Sequence, residues 1–386
     1  MMARTTRRAP TPDYAVIDDL LHAITPIDAA CAEAARARWN SIAKPLGALG
    51  MLEAAVCRIA AAARVQPPAT PDIRRRALAV FCADNGIVAE GVTQTSSDVT
   101  ATVAKNLCDG AASVCKMARL AHADVFPVDI GMKSAVAHPR MTDLHITRGT
   151  RNFLHEDAMT RTDAENAVLS GARLAKKLTA AGYTLLATGE MGIGNTTTAS
   201  ALTAVLLDVL PADVTGAGAG LSATGVAHKI RVIERGIAAR KADAGDALAV
   251  LSALGGFDIA GMAGFMLGAA ASGVPVVIDG VISQTAALVA VRLCPAANGY
   301  LLASHVGSEK ASHLLLSALG LSAPINAGMH LGEGTGCMTL LPLLDMALAV
   351  YREMPTFADI GIEAYQPQDE DVTTVTRVSE NASPRL

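Results

Sequence analysis

Apolar residues along this chain follow two rhythms. Short, nearly unbroken runs, each closed by a glycine or polar turn, read ALAVFCADNG (77–86), ADVFPVDIGM (123–132), YTLLATGEMG (183–192), VPVVIDG (274–280), GYLLASH (299–305) and APINAGM (323–329). Continuous rather than alternating runs suit strands covered on both faces. Apolar segments with helical spacing lie between them. The combination predicts an α/β fold, a Rossmann-like doubly wound parallel sheet of about six strands, accompanied by a small helical domain.

Residues 195–272 read as helical throughout, apart from the glycine turn GAGAGL, and carry no strand signal. The first seventy residues and the run CMTLLPLLDMALAVYREM are also helical in pattern. We therefore expect a flexible extension over 1–20 and a helical small-domain segment over 21–70. The sheet domain is expected over 71–335, a C-terminal helix rejoining the small domain over 336–365, and a disordered polar tail over 366–386. From Ile259 to Ile278 no residue is charged, but Ser272, Gly273 and Pro275 break the run. A buried helix leading into a buried strand accounts for it better than a membrane span.

Composition narrows the function. With 51% hydrophobic and 18% charged residues the chain is expected to fold compactly, and its 386 residues suffice for about two domains. A net charge of -4 gives no footprint for nucleic acid. Seven cysteines without a CxxC pair do not suggest a disulfide framework. Together with an N-terminus that has no apolar segment behind its arginines, they lead us to expect a cytoplasmic protein.

In open parallel sheets, ligands bind outside the carboxyl ends of the strands. Polar residues gather there in this chain: Asp84, Asn85, Asp129, Glu190, Asp279, Ser304, His305 and Glu333. Asp and Asn at strand ends also cap helices, so each admits that simpler role. In GEMGIGNTT, Gly189, Gly192 and Gly194 allow a tight turn into a helix whose free amides suit a phosphate. It lacks the lysine of a Walker loop, and Lys229 is a candidate cation supplied from elsewhere. In HLGEGTG, Glu333 stands between glycines, either as a desolvated general base or as a cap for the helix near Thr335. His305, Glu309 and His313 recur every four residues and could share a helix face, but capping or surface roles fit better than a metal site. Asp98, Asp258 and Glu53 read as helix-start or surface acids.

The segments KPLGALGMLE (44–53), ADNGIVAEGV (83–92), GEMGIGNTTTASAL (189–202), GGFDIAGMAG (255–264), DGVISQTAAL (279–288) and GMHLGEGTG (328–336) resemble the nicotinate-nucleotide–dimethylbenzimidazole phosphoribosyltransferase family. The resemblance implies transfer of phosphoribose from nicotinate mononucleotide to the aromatic base that becomes the lower ligand of cobalamin, with inversion at the anomeric carbon. It implies Glu333 as general base and Glu190 beside the cationic centre. Gly192, Gly194, Asn195, Thr196, Thr197 and Lys229 would hold the phosphate. Asp279, Gly280 and Ser283 would lie beside the phosphoribosyl group, and Thr93 and Gln94 in the base pocket. No metal and no redox cofactor is implied, and family members are homodimers.

Several positions depart from the family pattern. Ala217 and His330 stand where arginines are common, Gly307 where a serine is common, and ADNG where the motif commonly has a histidine. ADNGIVAEGVTQT also resembles a branch in which some members use other bases, including phenols, or act as heterodimers. Three alternatives follow: transfer to adenine, another benzimidazole or a phenol; a non-catalytic nucleotide-binding subunit of a heterodimer; and a P-loop-like NTPase, disfavoured by the missing lysine.

Overall fold

The structure is a computed structural model and describes residues 14–366. The chain opens with helices α1 (Ile17–His22), α2 (Ala29–Ser41) and α3 (Met51–Ala63). Strand β1 (Arg76–Ala83), helices α4 (Asp98–Asp109) and α5 (Ser113–Leu120), and strands β2 (Ala123–Gly131) and β3 (Thr142–Asp143) follow. Next come α6 (Arg161–Ala180), β4 (Leu185–Met191), α7 (Asn195–Leu207), α8 (Pro211–Val214), α9 (Ala223–Arg240), α10 (Ala247–Leu254) and α11 (Phe257–Ser272). The chain then forms β5 (Val276–Ile278), α12 (Val281–Leu293), β6 (Leu301–Ala303), α13 (Ala311–Ala318) and α14 (Thr335–Glu353). Residues 195–272 are helical, as their pattern predicts.

All six strands are parallel, in the order β3-β2-β1-β4-β5-β6. This is the doubly wound arrangement, and the connections reverse direction between β1 and β4. Five strands coincide with predicted runs. The sixth does not: 323–329 makes a single parallel bridge, Ile325 to His305, because Pro324 offers no amide and Gly328 turns left-handed with φ 64°. The outer place beyond β2 is taken instead by Thr142–Asp143. These two edge residues have no apolar run to announce them.

β1 is buried along its length and divides the core in two. Ala77, Ala79, Phe81 and Ala83 face one apolar layer, shared with α6, α10, α11 and α12. Leu78, Val80 and Cys82 face the other, shared with α2, α3, α5 and α14. On this second side the two chain ends meet: Trp39 packs edge-on against Tyr351 at 4.9 Å, and Arg38 donates to the carbonyls of Tyr351 and Met354. Helices α2 and α3 from one end and α14 from the other thus cover one sheet face and share its core, while α1 packs in the first layer. The predicted extension over 1–20 lies partly, and the tail over 366–386 almost wholly, outside the described residues. Among the described residues, no helix is long and apolar enough to cross a membrane.

The first layer is closed by α6 and α11, which touch backbone to backbone. A β-carbon on Gly264 would overlap the Val168 carbonyl, and one on Gly171 the Gly261 carbonyl. In the uncharged run from Ile259, Gly264 and Gly268 answer to this contact, while Gly261 lies against Ile130 and Phe81 of the sheet. We predict that Gly264→Ala lowers the unfolding free energy by roughly 2–3 kcal/mol, because overpacking outweighs the ~1 kcal/mol gain in helix propensity. Urea denaturation checks this; an unchanged midpoint would refute the close contact.

Candidate active site at the strand ends

β1 and β4 end at the switch point, and a cavity of about 770 Å³ opens above them. Its lining comes from loops after β1, β4, β5 and β6, from the glycine turn 216–221, and from the loop before α14. Of the predicted site residues, Thr93, Gln94, Glu190, Gly192, Gly194, Asn195, Thr196, Asp279, Gly280, Ser283 and Glu333 all line it. Thr197 does not. One helical step beyond Thr196, its side chain turns into the core and is fully buried. Lys229 also stays behind the wall, 1% exposed, with its Nζ donating to Thr196 Oγ1 at 2.8 Å.

Three helices begin at this cavity after glycine N-caps: α7 after Gly194, α12 after Gly280 and α14 after Gly334. None has a side-chain cap of its own, so their positive ends face inward. At α14 the need is met from β5. Asp279 Oδ1 accepts from Gly336 N at 2.8 Å and Oδ2 from Gly334 N at 3.0 Å. Ser283 Oγ accepts from Asp279 N and pairs with Thr188 Oγ1. Asp279 and Ser283 therefore use their hydrogen bonds to hold the loop before α14, while Gly280 opens onto the cavity.

That loop presents Glu333. Gly332, Glu333 and Gly334 all have positive φ, 85°, 60° and 91°, and a non-glycine residue there costs ~1–2 kcal/mol. The Glu333 carbonyl lies against Gly189, where any side chain would collide with it. Glu333 does not cap α14. Its Oε2 accepts from Val114 N at 3.2 Å, in the first turn of α5. Burial raises the Glu333 pKa above 4.5, opposed by that amide.

Glu190, the penultimate residue of β4, is pushed up to about 8 by burial and by Asp258, Asp279 and Glu333. Its Oε2 accepts from Asn195 Nδ2 at 2.5 Å, and the same nitrogen donates to Asp258 Oδ2 at 2.9 Å. Asp258 is fully buried, which corrects its expected role as an ordinary helix-start acid. A lone carboxylate bordering a long uncharged run was the available signal. Lys229 is pulled down to about 8 by burial, with Glu309 acting in the opposite direction.

Glu309 lines the cavity without having been singled out for it, as do Met117, Met191 and Met329. The proposed helix face of His305, Glu309 and His313 does not exist, because α13 begins only at Ala311. His305 is buried at the end of β6 against Ser304 Oγ, and His313 is exposed on α13. Asp84, Asn85, Asp129 and Ser304 sit beneath the rim rather than on it: Asp84 accepts from Lys133 N, and Asp129 from Gly131 N and Met132 N. Among the described residues, no group of three or more His, Cys, Asp or Glu is arranged to hold a metal ion.

Glu190 keeps its proton to about pH 8 in the folded protein and loses it near 4.5 once unfolded, so stability falls as pH rises between those values. Glu190→Gln removes this penalty. We predict that it stabilises the fold at pH 9 by on the order of 2–4 kcal/mol relative to its effect at pH 4, read from thermal denaturation across that range. Equal effects at both pH values would contradict the assignment.

A phosphoribosyltransferase family model matches residues 24–362. The nicotinate-nucleotide–dimethylbenzimidazole phosphoribosyltransferase of Roseiflexus sp. (strain RS-1) is 42% identical over 348 residues, covering 90% of this chain and 98% of that protein. Its namesake from Acetivibrio thermocellus is 40% identical over 331 residues, 86% of this chain and 93% of that one. The crystal structure of CobT from Thermus thermophilus matches with a TM-score of 0.82 at 35% identity, over 87% of this chain and 100% of that one. Matches of this identity across most of the chain show that the protein belongs to the nicotinate-nucleotide–dimethylbenzimidazole phosphoribosyltransferase family.

Proposed function

We propose that this enzyme moves the phosphoribosyl group of nicotinate mononucleotide to an azole base, with 5,6-dimethylbenzimidazole as the leading acceptor. The products are nicotinate and an α-ribazole 5'-phosphate for the lower ligand of cobalamin. One observation carries this reading: a single cavity joins an uncapped helix N-terminus, backed by Lys229, to the carboxylates Glu190 and Glu333. A donor with an anionic phosphate and a cationic pyridinium matches that division of charge.

The phosphate binds at the start of α7, against the amides near Thr196 and the Thr196 hydroxyl that Lys229 orients. Glu190, protonated below about pH 8 in the free protein, ionises as the cationic donor binds and then faces the ribose carbon as positive charge builds on it. The C–N bond to the pyridinium breaks with its electron pair passing to the ring nitrogen, so nicotinate leaves without needing a proton. The azole nitrogen that bears a free lone pair attacks from the opposite face to form the new C–N bond, and the proton on the other ring nitrogen passes to Glu333. The single amide on Glu333 Oε2 fixes the carboxylate without neutralising it.

Transfer to another base, such as adenine, a different benzimidazole or a phenol, is a second reading supported by Met117, Met191 and Met329. Methionine walls adapt to ligands of different outline. The family resemblance also carries the expectation of a homodimer, or of a heterodimer with a related chain, which light scattering of the purified protein tests.

Incubation with nicotinate mononucleotide and a mixture of bases should yield an α-riboside of one of the azoles. No riboside from any azole would sink the main reading. Glu333→Gln should lower kcat by ~10²–10⁴-fold while leaving nucleotide affinity within a few fold. Because Glu333 acts ionised and its pKa is raised, kcat at saturating nucleotide should fall as pH drops, at a midpoint above 4.5. The residual activity of the Gln variant should lack this limb.

A further inference from the structure

We propose that Asp258 is a positioning residue for the transfer, acting through the Asn195 carboxamide to hold Glu190 in place against the cavity. The inference rests on the phosphoribosyl-transfer reading above.

The argument is geometric. Asn195 is the first residue of α7, and its amide nitrogen has two hydrogens. One goes to Glu190 Oε2 and the other to Asp258 Oδ2. A flipped amide would set its oxygen against two carboxyl groups, so the chemistry of the partners fixes which end faces them. Glu190 is confined on its other side too. Its Oε1 lies where a β-carbon on Gly332 would stand, next to Glu333. Glu190 is thus held between the α7 loop and the loop that carries the proposed base.

Without Asp258, the Asn195 side chain keeps only its bond to Glu190 and no longer ties Glu190 to a fixed point on α11. Asp258 is poorly suited to a purely structural role. It is completely buried, in the first turn of α11, and its Oδ1 has no hydrogen-bond partner among the described residues. Burial pushes it up to about 6, with the Asp84 carboxylate adding to the rise and Asn195 and the first-turn amides of α11 opposing it. A buried carboxylate without a counter-ion costs several kcal/mol, far more than an α11 cap returns.

The groups facing Glu190 are Asp258 on α11, Asp279 after β5, Glu333 before α14 and the Asn195 amide on α7. Three of them are acidic, so removing the charge of Asp258 favours ionisation of Glu190. A cationic donor drives Glu190 to ionise as it binds, releasing a proton below about pH 8. Asp258→Asn keeps an oxygen for Asn195 but loses the charge. Asp258→Ala loses both.

Calorimetry of nicotinate mononucleotide binding, in buffers of different ionisation enthalpy, reads the proton release without requiring turnover. Asp258→Asn should move the midpoint of that release to lower pH by ~0.5–1 unit, and Glu190→Gln should abolish it. In turnover, Asp258→Ala should lower kcat by ~10–100-fold, with Asp258→Asn recovering most of the loss. In a Glu190→Gln background, Asp258→Ala should change kcat by less than ~2-fold, since the two act as one unit.

Multiplying kcat effects in the double variant, or a release midpoint unmoved by Asp258→Asn, would overturn the proposal. So would an Asp258→Ala protein with a lowered Tm but parental kcat per folded molecule. If Asp258→Ala does not fold, the midpoint in Asp258→Asn decides. If the parent makes no riboside but the midpoint moves, the transfer reading fails while the link from Asp258 to Glu190 stands.

Discussion

The bonds from Asp279 to the amides of Gly334 and Gly336 are the interaction on which the site depends. They tie the end of β5 to the start of α14 across the mouth of the sheet. Charge-assisted bonds of this kind are roughly twice as strong as neutral ones, and here both carboxylate oxygens are used. They hold three successive left-handed residues in one conformation and so compensate the strain at Glu333. Glu333 accordingly meets the cavity from a fixed main chain, even though its side chain has only one hydrogen bond among the described residues.

The same strand ends gather more acidic groups than a stable protein would choose. Glu190, Asp258, Asp279 and Glu333 are all raised by burial, and Lys229, the buried lysine nearby among the described residues, lies behind Thr196 rather than among them. The arrangement makes sense if the missing cation arrives with the substrate. A pyridinium riboside carries its positive charge at the glycosidic bond, and the reading proposed above puts its phosphate apart, at the start of α7. Stability is given up in the empty protein where binding requires it.

The sheet supports this by being covered on both faces. The α6–α11 contact brings two backbones together through glycine and draws Phe257 and Asp258 up to the strand ends. On the opposite face, α14 runs from the Glu333 loop into the layer formed by both chain ends, so the site and the terminal helices share one rigid element.

Much of this was legible in the chain. Unbroken apolar runs marked five of the six strands, glycine-flanked polar residues marked the strand-end loops, and GEMGIGNTT and LGEGTG carried the family resemblance. Local pattern failed where local sequence did not decide. Thr142–Asp143 is a strand only because β2 offers an open edge, and 323–329 is not one because Pro324 removes a needed amide. Helical phase likewise turned Thr197 into the core while its neighbour Thr196 reached the cavity. What the sequence determined alone was the alternation of elements and the inventory of carboxylates and glycines, because these depend on periodicity and residue type. What only the tertiary structure decided was who meets whom: Asp279 with the Glu333 loop, Val114 with Glu333, and Asp258 with Glu190 through Asn195. Those pairs are far apart in sequence, and only the packing of distant elements brings their polar atoms within bonding distance.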